Sequence, residues 1–113
     1  MKYALLIYSS DEARARNLPE DQQASVIAEY EAIFDEPGIV TGMGLQPAES
    51  ATTVRVENGQ SLLTDGPFVD AKEYLGGFYL FEADNIDAAT EMAARIPAAR
   101  MGGAVEVRPV LER

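Results

Sequence analysis

A chain of 113 residues fits one domain, 1–113, and its 47% apolar and 25% charged residues allow an ordinary core without disulfide or metal staples. Nineteen acidic against nine basic residues give a formal net charge of -10, a surface that repels phosphate backbones and argues against nucleic-acid binding. With no cysteine and no histidine, disulfides, thiolate nucleophiles, most zinc and copper sites and the usual neutral-pH general base are excluded, so neither a metal nor a cofactor is expected.

Taken in order, Lys2 to Tyr8 is apolar or amphipathic on both sides. Tyr3, Leu5 and Ile7 point one way and Ala4, Leu6 and Tyr8 the other, which predicts a central strand covered on both faces. The run is too short to span a membrane and is followed by acids instead of a cleavage site, so a cytoplasmic protein is expected. Ser9 to Pro19 is polar, with Asn17 or a neighbour available as a helix cap and Pro19 in a first turn that Glu20 and Asp21 favour electrostatically. Gln23, Val26, Ile27, Tyr30, Ile33 and Phe34 then recur at helical spacing until Pro37 and Gly38 end the pattern.

IVTGMGLQP reads as a short, glycine-broken strand. In TTVRVE, Thr53, Arg55 and Glu57 alternate with Thr52, Val54 and Val56, a strand with one wet face. Asn58-Gly59 tolerates the positive φ of a type I′ turn, so residues 60–64 should pair back on 52–57. Asp65-Gly66-Pro67 is a second turn. Tyr74 to Glu82 is another strand apolar on both faces, its Gly76-Gly77 pair marking a bulge or a close backbone approach. Asp84 or Asn85 caps a helix from about 85 to 96 with Ile86, Ala89, Met92, Ala93 and Ile96 inward. Ala104 to Val110 closes as a strand with Val105 and Val107 on one side, Glu106 and Arg108 on the other.

The order strand, helix, strand, hairpin, strand, helix, strand predicts an α+β ferredoxin-like sandwich, an antiparallel sheet with two helices on one face. Two helices leave the other sheet face bare although both inner strands are apolar there. A homodimer packed sheet to sheet would cover it.

The stretch from Thr64 to Phe81 joins a turn, charges and the most apolar strand, and candidate chemistry gathers there. Asp65, Lys72 and Glu73 lie within nine positions; a carboxylate beside an ammonium at a strand end is a proton-transfer pair, with Asp65 and Lys72 as catalytic candidates. As structure, the same Asp65 is a turn residue and Lys72-Glu73 a solvated pair. Arg108 and Glu106 would face the second sheet in the dimer, where charges must be paired, or would protect an exposed strand edge. Tyr8, Tyr74 and Tyr79 offer hydroxyls near strand ends for a ligand, or are core residues with a wet tip. No phosphate-cradling loop or EF-hand spacing is present.

MKYALLIY, GLQP at 44–47, TTVRV at 52–56, TDGPFVDAKEYLGGFYL at 64–80 and VEVRPV at 105–110 together resemble the YCII-related family, in its DGPF-domain branch, over nearly the whole chain. The resemblance implies a dimeric α+β barrel built from ferredoxin-like units. The wider family is similar to muconolactone isomerase and includes a dehydrochlorinase of a chlorinated hydroxyhydroquinone. A histidine and aspartate pair is proposed as catalytic in its better-known members; this chain has no histidine, which leaves Asp65, Lys72, Glu73 and Arg108 as the motif-matched candidates. Neighbourhood with extracytoplasmic-function sigma factors in that branch implies a regulatory or stress-linked role.

Two functions follow. One is a non-catalytic dimeric module that binds a small ligand or a regulatory protein, with Glu73, Arg108, Glu106, Tyr8 and Tyr79 as its polar anchors. The other is a cofactor-independent lyase or isomerase acting on a small polar or aromatic molecule in a cleft at the dimer interface, where Lys72 or Asp65 would move the proton and Arg108 hold an anionic group.

Overall fold

The computed structural model describes residues 1–10, 18–69 and 71–112. Strand β1 is Lys2–Ser10, helix α1 Glu20–Ile33 and strand β2 Ile39–Gly44. Strands β3, Thr52–Glu57, and β4, Gln60–Asp65, form a hairpin; β5 is Glu73–Glu82, helix α2 Ile86–Ala94 and β6 Ala104–Pro109. The four-stranded antiparallel sheet runs β2-β5-β1-β6, and β3-β4 stands as a separate two-stranded sheet. This is the ferredoxin-like α+β arrangement, with the hairpin inserted between the second and third strands of the sheet.

β1 is central because it pairs on both sides, with Tyr3, Leu5 and Ile7 opposite Phe81, Tyr79 and Gly77 of β5 and opposite Pro109, Val107 and Val105 of β6. That row and Ile33 of α1 with Ala89, Met92, Ala93 and Ile96 at α2 make one core, so both helices cover the same face. On the other face Ala4, Leu6, Phe78 and Leu80 are only half-buried within one chain, and none of the described residues covers them as fully as the helices cover the first.

α1 packs along a narrower stripe than its spacing predicts. Val26 and Ile33 are buried, whereas Ile27 and Phe34 are 49% and 47% exposed. The expected Asn17 cap lies outside the described residues; Pro19 precedes the first turn, and the Gln23 amide donates to the Leu18 carbonyl at 2.6 Å. α2 begins as expected, the Asn85 side chain accepting from the Ala88 N–H at 2.9 Å, but Ile86 in its first turn is exposed. No helix among the described residues is long and apolar enough to cross a membrane.

The hairpin pairs in the predicted register, Thr52 with Asp65 through Glu57 with Gln60, around Asn58 and Gly59 at φ 51° and 79°. Its base is tied by the DGPF turn: the Gly66 N–H donates to the Ala51 carbonyl at 2.7 Å and the Thr53 hydroxyl to the Gly66 carbonyl at 2.8 Å. Arg55 lies over the Phe68 ring, 4.7 Å from its centroid. On the hairpin's other face Val54, Val56 and Leu63 are 58%, 66% and 69% exposed.

Candidate functional site

The glycine pair organises a cavity. β1 and β5 slip register between Ile7, opposite Gly77, and Tyr8, opposite Leu75, leaving Gly76 as the extra residue of a bulge. Gly77 has no room for a side chain, because a Cβ there would sit 2.7 Å from the Met43 carbonyl oxygen and 3.2 Å from Gly44 Cα. The backbone of β2 therefore crosses β5 at close range, and the Gly76 carbonyl accepts the Leu45 N–H at 2.9 Å, drawing the GLQP segment over the same spot. Both readings of the pair are met, a bulge at Gly76 and a close approach at Gly77.

Three glycine positions and the underside of α1 together leave a cavity of about 370 Å³. Its floor is Ile7, Ser9, Gly76 and Gly77, its roof Val26 and Tyr30 of α1, and its rim the exposed Phe34, Met43 and Leu45. Tyr74, Tyr79, Pro47 and Met101 complete the sides. MKYALLIY leads into this wall, and GLQP and the GGFYL end of the longest matching string enter it, so three of the stretches that carry the resemblance meet here.

Among the described residues no acidic or basic side chain lines the cavity; its ionisable groups are tyrosines. Tyr79, 3% exposed, donates its hydroxyl to the Tyr30 carbonyl at 2.7 Å and meets the Phe34 ring edge-on at 5.3 Å between centroids. Burial, and secondarily the neighbouring Tyr30, push its phenol up to about 12. Tyr30 is also raised by burial, against a backbone hydrogen bond from Ala98 and the charge of Arg100 that pull it down. Both phenols stay neutral and protonated at ordinary pH, which makes them hydrogen-bonding wall and not bases. Arg100 is itself held by Glu29, 2.5 Å away.

The sequence-derived candidates are distributed more widely. Tyr74 and Tyr79 line the cavity, Tyr79 as a buried wall residue. Lys72 and Glu73 are exposed at the entrance of β5, immediately before Tyr74. Asp65 ends β4, on the separate hairpin sheet. Arg108 and Glu106 are exposed on β6 and ion-paired to each other, on the sheet face away from the helices. Tyr8 is half-buried on that same face, opposite Leu75 and Ala104. Arg108 is opposite Ala4 and Glu73 opposite Ser10, six residues along β1, so the two are separated by roughly 20 Å within one chain. A single chain does not gather these charges into one cleft. Among the described residues no group of three or more Asp or Glu side chains is placed to hold a metal ion.

Sequence spacing does not reveal Ser9, Tyr30 or Phe34 as lining residues, because Ser9 is on β1 and the other two are on α1 and its C-terminal cap, far apart in the chain. The visible signal was Gly76-Gly77, which marks where two backbones meet.

Comparison with known proteins agrees with this fold. The YCII-related domain matches residues 1–113. An uncharacterised protein of Rhizobium meliloti (strain 1021) is 32% identical over 115 residues, covering 97% of this chain and 92% of that protein. Among solved structures, the 5-chloro-2-hydroxyhydroquinone dehydrochlorinase of Burkholderia phenoliruptrix AC1100, in complex with 2,5-dihydroxybenzoquinone, superposes with a TM-score of 0.53 at 18% identity, covering 100% of this chain and 96% of that one. At that identity the likeness is one of fold.

Proposed function

We propose that this chain, which belongs to the YCII-related domain family, is a homodimeric protein that binds a small molecule in the cavity beneath α1. The observation that carries the reading is the cavity itself. At about 370 Å³, with mostly apolar walls and a few hydroxyls and backbone groups at its bulged floor, it has the size and lining of a small-ligand site. Polar groups of the lining, Ser9 at the floor and Tyr74 beside it, give such a ligand one hydrogen-bonding end.

A thermal-shift screen of small phenols, lactones and hydroxyacids tests it. A compound at about 100 times its dissociation constant stabilises by roughly 2.7 kcal/mol. Gly44→Leu is the matched control: no atom lies within 4 Å of a Cβ there, and the position lines the cavity, so the larger side chain should fill it without disturbing the fold. The reading fails if ligands bind Gly44→Leu as well as they bind the unaltered protein.

The dimer is supported by two bare surfaces. Ala4, Leu6, Phe78 and Leu80 form one on the open sheet face, and Val54, Val56 and Leu63 form another on the hairpin. A second copy related by a two-fold axis would cover both kinds of surface reciprocally. A regulatory protein partner has no support in the comparisons.

Lyase- or isomerase-type turnover is the second reading, favoured by the likeness in fold to a dehydrochlorinase. Lys72 would then be the proton carrier, since it stands two residues from the cavity wall at Tyr74, with Asp65 as a further candidate and Glu73 and Arg108 as polar anchors. For a compound that binds, turnover lost in Lys72→Ala with binding retained supports this reading; unchanged turnover rejects Lys72.

A further inference from the structure

We propose that the cavity beneath α1 selects an uncharged aromatic molecule of one or two rings, carrying a hydroxyl or carbonyl at one end, and rejects its anionic counterpart. The proposal rests on the reading of this cavity as a ligand site, and it adds the ligand's charge and shape.

The charge follows from what surrounds the space. Among the described residues no acidic or basic side chain lines the cavity. An anion entering it would give up water and meet no cation of the described residues in return. Arg100, next to the lining residue Met101, is engaged by Glu29 at 2.5 Å, and Arg108 is engaged by Glu106 on the opposite face of the sheet. Lys72 lies at the entrance of β5, outside the lining. A charge moved into such surroundings is penalised far more than a neutral group of the same shape.

Shape follows from the walls. Tyr30, Phe34, Tyr74 and Tyr79 are among the lining residues, and an aromatic ligand gains by offset or edge contact with their rings. Met43 and Met101, long and flexible, adjust to the ligand's outline at the rim and the side. The Ser9 hydroxyl is the polar group of the floor beside the bulge, 3.8 Å from where a Gly76 Cβ would stand. A ligand hydroxyl or carbonyl is therefore directed to that end, and the ring to the rim.

A phenol that ionises near neutral pH, 4-nitrophenol, tests the charge with a single shape. Binding to the purified full chain is read by amide chemical shifts of the cavity residues and by the ligand's absorbance. Above the phenol's own pKa the apparent affinity should fall about tenfold per pH unit, because only the neutral form binds. Benzamide, which does not ionise, is followed over the same range and should bind equally throughout; benzoate, its charged counterpart, should bind at least about tenfold more weakly.

Affinity for 4-nitrophenol that holds or rises as it ionises, or benzoate binding as well as benzamide, overturns the proposal while leaving the cavity a ligand site. Absence of binding by both neutral probes, or binding that persists in Gly44→Leu, overturns the ligand-site reading itself and the proposal with it.

Discussion

At Tyr79 one side chain serves the core and the cavity at once. Its ring is buried against Phe34 and its hydroxyl fastens β5 to α1 through the Tyr30 carbonyl at 2.7 Å. Tyr79→Phe should cost about 1 kcal/mol, read as a lower melting temperature without loss of secondary structure. The phenol also has an alkaline signature. Its folded value, about 12, lies above the ordinary 10.0, so its contribution is complete below about pH 10 and is lost as pH rises through about 12. Stability of the unaltered protein should fall more steeply across that window than stability of Tyr79→Phe, and equal slopes would reject the assignment. The neighbouring glycines make a second pair of expectations. Gly77→Ala forces a Cβ to within 2.7 Å of the Met43 carbonyl and should destabilise by about 1–3 kcal/mol, while Gly76→Ala, with its nearest atoms at 3.8 Å, should be tolerated. The sequence displays this glycine pair plainly but not the space beside it. A cavity is defined by walls from distant segments and by missing side chains, and neither has a spacing to read. Asp65, Lys72 and Glu73 were legible as a charged cluster because they are close in sequence; the chain places Asp65 on one sheet and Glu73 on another.

Among the elements, strands and helices were legible wherever one periodicity dominated. β1 and β5 show two apolar faces, α2 shows its cap at Asn85, and Asn58-Gly59 marks the hairpin turn. α1 was less so, since Ile27 and Phe34 continue its apolar stripe onto ground that the sheet does not reach. The hairpin's pairing was readable from its alternation, but alternation says only that one face is wet and does not say which sheet a strand joins. A two-stranded sheet with Val54, Val56 and Leu63 bare is marginal in water by itself, so a partner surface is expected to hold it. Val56→Lys together with Leu63→Lys, both at exposed positions, should leave the four-stranded domain folded by circular dichroism and shift the protein from dimer to monomer in sedimentation. If the doubly substituted chain sediments as a dimer, the hairpin is not part of the interface.

For the molecule as a whole, the ferredoxin-like order was deducible because two helices between apolar strands leave few arrangements of an antiparallel sheet. The same reasoning predicts a second copy on the open face of that sheet, and a stable monomer in sedimentation at micromolar concentration would reject it. Strand order has one more result, which concerns synthesis. β1 precedes the other strands and is apolar on both faces, yet its two neighbours are β5, beginning at Glu73, and β6, beginning at Ala104. While the ribosome is still adding residues, β1 has no flank to pair with until β5 is made and lacks its second until β6, so it stays an open, sticky ribbon through much of synthesis. Nascent chains halted before Ala104 should accordingly depend on chaperones and resist no protease, and folding should switch on late, over the last few residues of the sheet.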